Sequence, residues 1–143
     1  MKVVLDCNVI ASFLITPGNN IKIIRNAWNN DKFELIMSDE IFEEIEQILE
    51  RLVKQGYFND DQSTELSKTI LRKSTFINVI TKVNICSDKK DNRYLSCAKD
   101  SRANYIVTGD KHHLIPIKKY KYTKIITPAD FALILSALPS CLN

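Results

Sequence analysis

The sequence contains few of the features that mark secreted, zinc-stabilised or membrane-spanning proteins. Its four cysteines lie far apart and form no C-x-x-C pair, which argues against a structural zinc site. Lys2 is not followed by the long apolar segment of a signal peptide, and no stretch approaches the roughly 20 apolar residues that span a bilayer. We therefore expect a cytoplasmic protein with no membrane partner, whose thiols are reduced and mostly buried.

The chain has only three glycines and four prolines, and no repeat, low-complexity tract or linker divides it. With 143 residues it is long enough to bury a core, so we expect residues 1–143 to form a single domain. Basic residues exceed acidic residues by only 20 to 17. This balance is compatible with nucleic-acid binding but does not argue for it.

Apolar segments alternate with amphipathic ones along the chain. We predict strands over residues 2–6, 33–38, 75–80, 105–109 and 122–127, and helices over 21–29, 40–54, 61–73, 87–102 and 128–138. Ser38 or Asp39 is expected to cap the second helix, and Ser87 or Asp88 to begin the fourth. This alternation predicts an α/β domain with a largely parallel sheet, whose ligands bind beyond the carboxyl ends of the strands.

Carboxylates fall at those strand ends. Asp6 ends the first strand, where burying an unpaired charge would be costly. Asp110 follows the fourth strand, so parallel strands would bring both carboxylates to the same edge of the sheet. Asp91 lies in the first turn of the helix over 87–102 and shares a face with Leu95 and Ala98. We therefore expect Asp91 to point inward at the rim of the sheet.

The helix over 40–54 is rich in glutamate. Its periodicity places Glu44 and Glu46 at the two borders of the apolar stripe and does not choose between them. Carboxylates that converge repel one another unless one is protonated or a cation neutralises them. Mg²⁺ or Mn²⁺ suits such an oxygen-rich site, and either ion promotes attack of water on a phosphodiester. The pattern predicts metal-assisted hydrolysis.

Five segments in this order and spacing resemble the PIN domain, in particular the VapC-like toxins of bacterial and archaeal toxin–antitoxin systems. They are VVLDCNVIASFL, SDEIFEEIEQIL, DKKDNRYLSCA, YIVTGDKHHL and IITPADF. The resemblance implies a three-layer α/β/α fold with a central, mostly parallel five-stranded sheet. It also implies a metal-dependent ribonuclease that acts on RNA, forms a homodimer and binds a cognate antitoxin protein.

The resemblance also assigns residues. It implies a catalytic, metal-holding cluster of Asp6, Glu44, Asp91 and Asp110, and so selects Glu44 over Glu46. The accessory positions that it implies near the cluster are Asn8, Ser12, Asp88, Asn92 and Thr108. The chain departs from the family pattern at Cys7, where a small hydroxyl residue is common, and at His112 and His113, where an acidic or apolar residue is often seen.

Some of these residues also have structural interpretations. Asp88 and Asp91 fit an N-cap and its capping-box partner. His112 and His113 are adjacent and diverge on a helix or a strand, so we expect surface side chains rather than joint ligands. The segment KKYKYTK suits either an edge strand guarded by lysines or RNA contact. In the second case the candidate contacts are Lys118, Lys119, Tyr120, Lys121 and Tyr122.

Two other functions fit parts of the pattern. A haloacid-dehalogenase-type phosphatase also begins with an aspartate after a strand, but it needs a second acid two residues later, where this chain has Asn8. A catalytically inactive interaction module on the same fold is the second alternative. All four acidic positions are filled, which argues against loss of activity, and a measurement of Mn²⁺ binding would separate the two functions.

Overall fold

The computed structural model describes residues 1–15 and 18–139. The strands are β1 (Lys2–Leu5), β2 (Glu34–Met37), β3 (Thr75–Phe76), β4 (Tyr105–Val107), β5 (Lys119–Tyr120) and β6 (Thr123–Ile126). The α-helices are α1 (Cys7–Ala11), α2 (Asn19–Asn29), α3 (Asp39–Lys54), α4 (Asp60–Lys73), α5 (Asn92–Ser101) and α6 (Pro128–Ser136), and a short 3-10 helix covers Ile115–Ile117.

The strands form one sheet in the order β3-β2-β1-β4-β6-β5. Among the described residues, the first five strands in this order are parallel, and β5 is antiparallel to its neighbour β6. β1 lies inside the sheet, and its Val3, Val4 and Leu5 are at most 1% exposed, as expected for an apolar strand covered on both faces. Leu5 pairs with Val107, so the carboxyl ends of β1 and β4 lie side by side. The predicted α/β class is confirmed.

The helices pack in two groups, α2 with α6, and α3 with α1, α4 and α5. Ser38 caps α3 by accepting a hydrogen bond from the Ile41 amide at 3.3 Å. Of the two predicted caps, Ser38 and Asp39, the structure therefore selects Ser38. The apolar stripe of α3 buries Ile41, Ile45 and Leu49 in the core. Gly56 follows the end of this helix with a φ of +86°, a conformation that favours glycine.

The structure corrects the predicted elements in four places. One of them is α1, a five-residue helix that the apolar pattern did not predict. The sheet has six strands rather than five, because the lysine-rich segment adds the two-residue edge strand β5. The third strand ends at Phe76 rather than at 80, since the amides of Ile80 and Thr81 donate to the Asp100 carboxylate instead of to a strand. The helix predicted from 87 begins only at Asn92, and a turn covers the preceding residues.

Cys7, Cys86 and Cys97 are buried free thiols, as predicted, whereas Cys141 lies outside the described residues. None of the helices within 1–15 and 18–139 combines the length and the apolar character that a membrane span requires.

Candidate metal centre

A cavity of about 400 Å³ lies at the carboxyl ends of β1 and β4. Each of the four carboxylates that the family resemblance nominated comes from a different element and lines this cavity. Asp6 directly follows β1, Glu44 belongs to α3, Asp91 precedes α5, and Asp110 follows β4. The remaining lining residues are Asn8, Asp88, Lys90, Tyr94 and Gly109.

Asp6 is buried and held at both carboxylate oxygens. It caps α1, because its Oδ1 accepts a hydrogen bond from the Asn8 amide at 3.0 Å, while its Oδ2 accepts one from the Thr108 hydroxyl at 2.7 Å. Burial raises the pKa of Asp6, the two hydrogen bonds oppose that change, and the nearby charges of Glu44 and Asp110 add to it. The Asp6 carboxylate is therefore fixed in direction, and its charge is incompletely compensated.

Thr108 connects Asp6 to Asp110. Its hydroxyl, which is fully buried, donates to Asp6 and accepts a hydrogen bond from the Asp110 amide at 3.0 Å. The Asp110 carboxylate in turn accepts hydrogen bonds at Oδ1 from the amides of His112 and His113, at 3.0 and 3.1 Å. Partial burial works against ionisation here, but these two amides keep the pKa of Asp110 below its ordinary value. Asp110 thus forms an aspartate turn and also faces the cavity.

Asp91 is the carboxylate with the least compensation. Only 9% of the residue is exposed, and its Oδ2 atom accepts no hydrogen bond from any of the described residues. Burial, followed by the adjacent Asp110 carboxylate, raises the pKa of Asp91 to about 7. Without a cation, Asp91 therefore carries a proton over much of the range below neutral pH.

Glu44 rather than Glu46 lies at the site. Glu46 is exposed and does not line the cavity, whereas Glu44 Oε2 lies 3.4 Å from Arg93 Nη1 and 3.3 Å from the Tyr94 hydroxyl. Cys7 Sγ is 3.5 Å from the same oxygen. Burial strongly raises the pKa of the Cys7 thiol, so it stays protonated and able to donate to Glu44. Cys7 therefore places a donor beside the cluster, as a hydroxyl residue would.

Three of the nominated accessory residues, Ser12, Asn92 and Thr108, lie outside the cavity lining, and Thr108 acts through its hydrogen bond to Asp6. Ser12 uses its hydroxyl to donate to the Asn8 carbonyl at 2.7 Å, a bond within the first helical turns. Asn92 supports the preceding loop, because its Oδ1 accepts hydrogen bonds from the amides of Ile85 and Cys86 at 3.1 and 2.9 Å. The Asn92 side chain therefore supports the loop beside the cluster rather than the cavity itself.

Asp88 lines the cavity but does not cap α5. Its Oδ1 accepts a hydrogen bond from the Lys90 amide at 3.0 Å, and the helix begins at Asn92 without a side-chain cap. The prediction of a capping box between Asp88 and Asp91 is wrong, because the chain makes a separate turn before the helix starts. That turn leaves both carboxylates facing the cavity.

The lysine–tyrosine segment, which supplies the candidate contacts Lys118 to Tyr122, is distant from the cluster along the sheet. Tyr120 pairs with Thr123 at the amino end of β6, and β6 is parallel to β4. The turn between β5 and β6 therefore lies at the amino ends of the parallel strands, whereas Asp110 lies at their carboxyl ends. Tyr120 and Tyr122 instead stack with cations, Lys121 and Arg102 respectively, each 5.9 Å from the ring centroid.

His113 is the residue that the sequence interpretation missed. It is half-buried rather than a free surface side chain, and one of its ring nitrogens lies within 4.8 Å of carboxylate oxygens of Asp88 and Asp91. Strand or helix periodicity does not reveal this placement, because the turn at Asp110 sets it. The hydrogen bonds from the two histidine amides to Asp110 define that turn.

The donor set fits a hard divalent cation. Four carboxylates from separate elements face one cavity, and the buried Asp91 Oδ2 lacks a partner among the described residues. Oxygen ligands of this kind suit Mg²⁺ and Mn²⁺, and a cation would relieve the repulsion that raises the pKa of Asp91. The cavity therefore offers the type of ligand that a divalent metal ion would need.

Comparisons with known proteins agree with this architecture. The family model described as PIN domain matches residues 2–112. An uncharacterized protein of Methanocaldococcus jannaschii, MJ1680, is 31% identical over 126 residues, which cover 87% of this chain and 81% of that protein. Among solved structures, VapBC2 from Rickettsia felis bound to a DNA fragment from their promoter matches with a TM-score of 0.59 and 13% identity, covering 89% of this chain and 98% of that one.

Proposed function

Because the chain belongs to the PIN domain family, we propose that it is a metal-dependent ribonuclease that hydrolyses RNA phosphodiester bonds with Mg²⁺ or Mn²⁺. The observation that carries this proposal is the buried, unpartnered Asp91 carboxylate among three other carboxylates in one cavity. Such a group is costly unless it binds a proton or a cation. A metal-dependent nuclease would account for the buried Asp91 carboxylate and for the position of the cluster at the carboxyl ends of the strands.

In this proposal Asp6, Asp91 and Asp110 would hold the principal ion. The bound ion would lower the pKa of a water and stabilise negative charge on the phosphate. Glu44 either holds a second ion or accepts a hydrogen bond from the attacking water, and the donors around its Oε2 fix its direction. Thr108 positions Asp6, and the Asn8 amide does the same from the opposite side.

We place the RNA strand in a polar groove of about 580 Å³ that adjoins the cavity. Lys90 lines both the groove and the cavity, and Lys82 and Lys89 line the groove as exposed cations. The Arg93 side chain, also in the groove, forms ion pairs with the carboxylates of Glu40 and Glu44 at 3.6 and 3.4 Å. The three lysines are thus the cations best placed to contact phosphates.

The resemblance to VapC-like toxins leads us to propose further that the protein is the toxin of a toxin–antitoxin pair, a homodimer and cytoplasmic. Support for an antitoxin comes from a groove of about 480 Å³ with an apolar floor of Phe13, Leu14, Trp28 and Leu66 and a polar border that includes Arg25 and Glu65. Its apolar lining suits an apolar segment of a second protein. The inactive interaction module is the competing function, and it predicts no cation-dependent cleavage.

Cleavage of RNA by the purified protein tests the nuclease proposal. We expect Asp6→Asn to lower the Mn²⁺-dependent cleavage rate by more than about 100-fold, the upper end of the effect of losing a supporting group. Glu46→Gln is the matched control, because Glu46 lies on α3 with Glu44 but is exposed outside the cavity. Wild-type activity in Asp6→Asn, after removal of contaminating nuclease, would show that the cluster is not the catalytic site.

A further inference from the structure

A second group of ligand-type atoms lies beside the four carboxylates. One ring nitrogen of His113 and one carboxylate oxygen from each of Asp88 and Asp91 lie within 4.8 Å of one another. Ser87 Oγ lies 3.2 Å from His113 Nδ1, and the His113 amide is bonded to Asp110. The imidazole is therefore held from its backbone and from its ring, next to two carboxylates.

The unpartnered Asp91 Oδ2, which also supports the carboxylate site, is a second reason to expect a cation beside Asp91. Asp91 is more than nine-tenths buried, and the described residues leave this oxygen without a hydrogen bond. Two ligands on opposite sides of an ion at about 2.1 Å are roughly 4.2 Å apart, so a group within 4.8 Å needs little movement to enclose one. The turn at Asp88 and the turn at Asp110 place the three side chains, none of which belongs to a helix or a strand.

We propose that Asp88, Asp91 and His113 hold a second divalent cation, which leaves Glu44 the role of positioning the attacking water. In this proposal Asp91 lies between the two ions, and the imidazole makes the second site favour transition metal ions over Mg²⁺. The proposal deepens the ribonuclease function and rests on it for its biological meaning. Mg²⁺ strongly prefers oxygen ligands, whereas first-row transition ions also accept imidazole. The nitrogen ligand thus distinguishes the second site from the carboxylate site.

Titration of Mn²⁺ and of Mg²⁺ into the purified protein, followed by calorimetry, tests this site. We expect two Mn²⁺ ions to bind the natural sequence, and His113→Gln to weaken one of them by roughly tenfold or more. The same variant should change Mg²⁺ affinity by less than about threefold. His113→Gln retains the backbone amide that holds Asp110, so the first site is preserved.

His112→Gln is the matched control. Its amide also bonds to Asp110, but its side chain is exposed and its ring centroid is 6.5 Å from that of His113. We expect this control to bind two Mn²⁺ ions with unchanged affinity. Asp6→Asn should lose the first ion and keep the one that depends on His113. Failure of the nuclease proposal is therefore distinguishable from failure of the second site.

Pulsed electron paramagnetic resonance of bound Mn²⁺ gives a readout that does not depend on activity. A directly bound imidazole produces coupling to ¹⁴N, which should vanish in His113→Gln and persist in His112→Gln. Absence of this coupling in the natural sequence would show that the imidazole does not bind Mn²⁺ and would overturn the proposal. Unchanged Mn²⁺ affinity in His113→Gln would overturn the proposal as well.

Discussion

At the scale of single residues, the Asp91–Asp110 pair shows how neighbouring carboxylates take different roles. Two amides hold Asp110 ionised, whereas burial and the Asp110 charge raise the pKa of Asp91 to about 7. The ionised Asp110 would attract a cation, and Asp91 would release its proton when that cation binds. Cation binding should therefore depend on pH between the ordinary pKa of an aspartate and neutrality.

The sign of this dependence follows from the direction of the change in pKa. Asp91 binds its proton more tightly in the folded protein than in the unfolded chain. The protonated Asp91 therefore contributes fully to the free energy of unfolding below pH 3.8, and this contribution is lost as the pH rises to about 7. A cation needs the ionised form and restores stability over that range. We expect Mn²⁺ to raise Tm far more at about pH 8 than at about pH 5, as measured by differential scanning fluorimetry.

Two variants make this measurement specific. Asp91→Asn cannot ionise, so it should lose most of the Mn²⁺-dependent change in Tm at both pH values. Glu46→Gln, exposed and outside the cavity, should behave as the natural sequence does. An equal Mn²⁺ effect at about pH 5 and about pH 8 in the natural sequence would contradict the assignment of Asp91 as a ligand.

At the scale of elements, the segment between β3 and α5 positions the groove in which we place RNA. It runs without regular structure from Ile77 to Cys86, and the Asp100 carboxylate anchors it by hydrogen bonds to the backbone of Ile80 and Thr81. Lys82 belongs to this segment, and Lys89 belongs to the turn that precedes α5. The position of Lys82 therefore depends on one surface carboxylate of α5, whereas the Asp88 turn positions Lys89.

We expect Lys82→Glu and Lys89→Glu to weaken the binding of single-stranded RNA to the inactive Asp6→Asn protein. Each phosphate contact that is lost should lower the slope of log affinity against log salt by about 0.7. Fluorescence anisotropy with a labelled RNA measures both quantities. Lys119→Glu is the control, because Lys119 lies in the lysine–tyrosine segment, away from the groove. This variant also tests the alternative in which that segment contacts the RNA. A larger loss in Lys119→Glu than in Lys89→Glu would favour that alternative.

The element scale also shows what the sequence could reveal. The apolar runs of β1, β2, β4 and β6 and the stripe of α3 carry clear periodicity, so these elements were predicted within a few residues. By contrast, α1 and β5 have five and two residues, which is too short for a periodic signal. The predicted start of α5 was wrong because polar residues 87–91 fit a helix N-terminus as well as the turn that they form.

The site was predictable to a similar degree. Strand ends located Asp6 and Asp110, because pairing of parallel strands brings these positions together. Periodicity could not choose Glu44 over Glu46, and the family resemblance was needed for that choice. Neither source indicated that His113 would face Asp88 and Asp91, since the turn after β4 is set by hydrogen bonds to Asp110. The placement of RNA stays a prediction.

At the scale of the whole molecule, the acidic cavity and the apolar groove are lined by different residues. An antitoxin that binds the groove could therefore reach the carboxylates only with a further segment. A cationic side chain on that segment would compete with the metal ion for Asp6, Asp91 and Asp110, because guanidinium groups pair strongly with carboxylates. Inhibition and metal binding would then be mutually exclusive.

Co-expression with the product of the neighbouring reading frame tests this arrangement. We expect a cognate antitoxin to co-purify with the protein, to abolish RNA cleavage, and to reduce Mn²⁺ binding measured by calorimetry. A complex that binds Mn²⁺ as tightly as the protein alone would refute competition at the carboxylates. Retention of full cleavage activity, without co-purification, would show that this neighbour is not an antitoxin for the protein.

The buried Thr108 hydroxyl joins Asp6 to the Asp110 amide across more than 100 positions of the chain. During synthesis, β1 and Asp6 emerge long before β4 can insert beside them, so the ligand set cannot assemble on a partial chain. The hydrolytic capacity that we propose would therefore appear in one step, late in translation. A ribosome that is making the protein would be protected from the nascent chain until β4 has emerged and paired with β1.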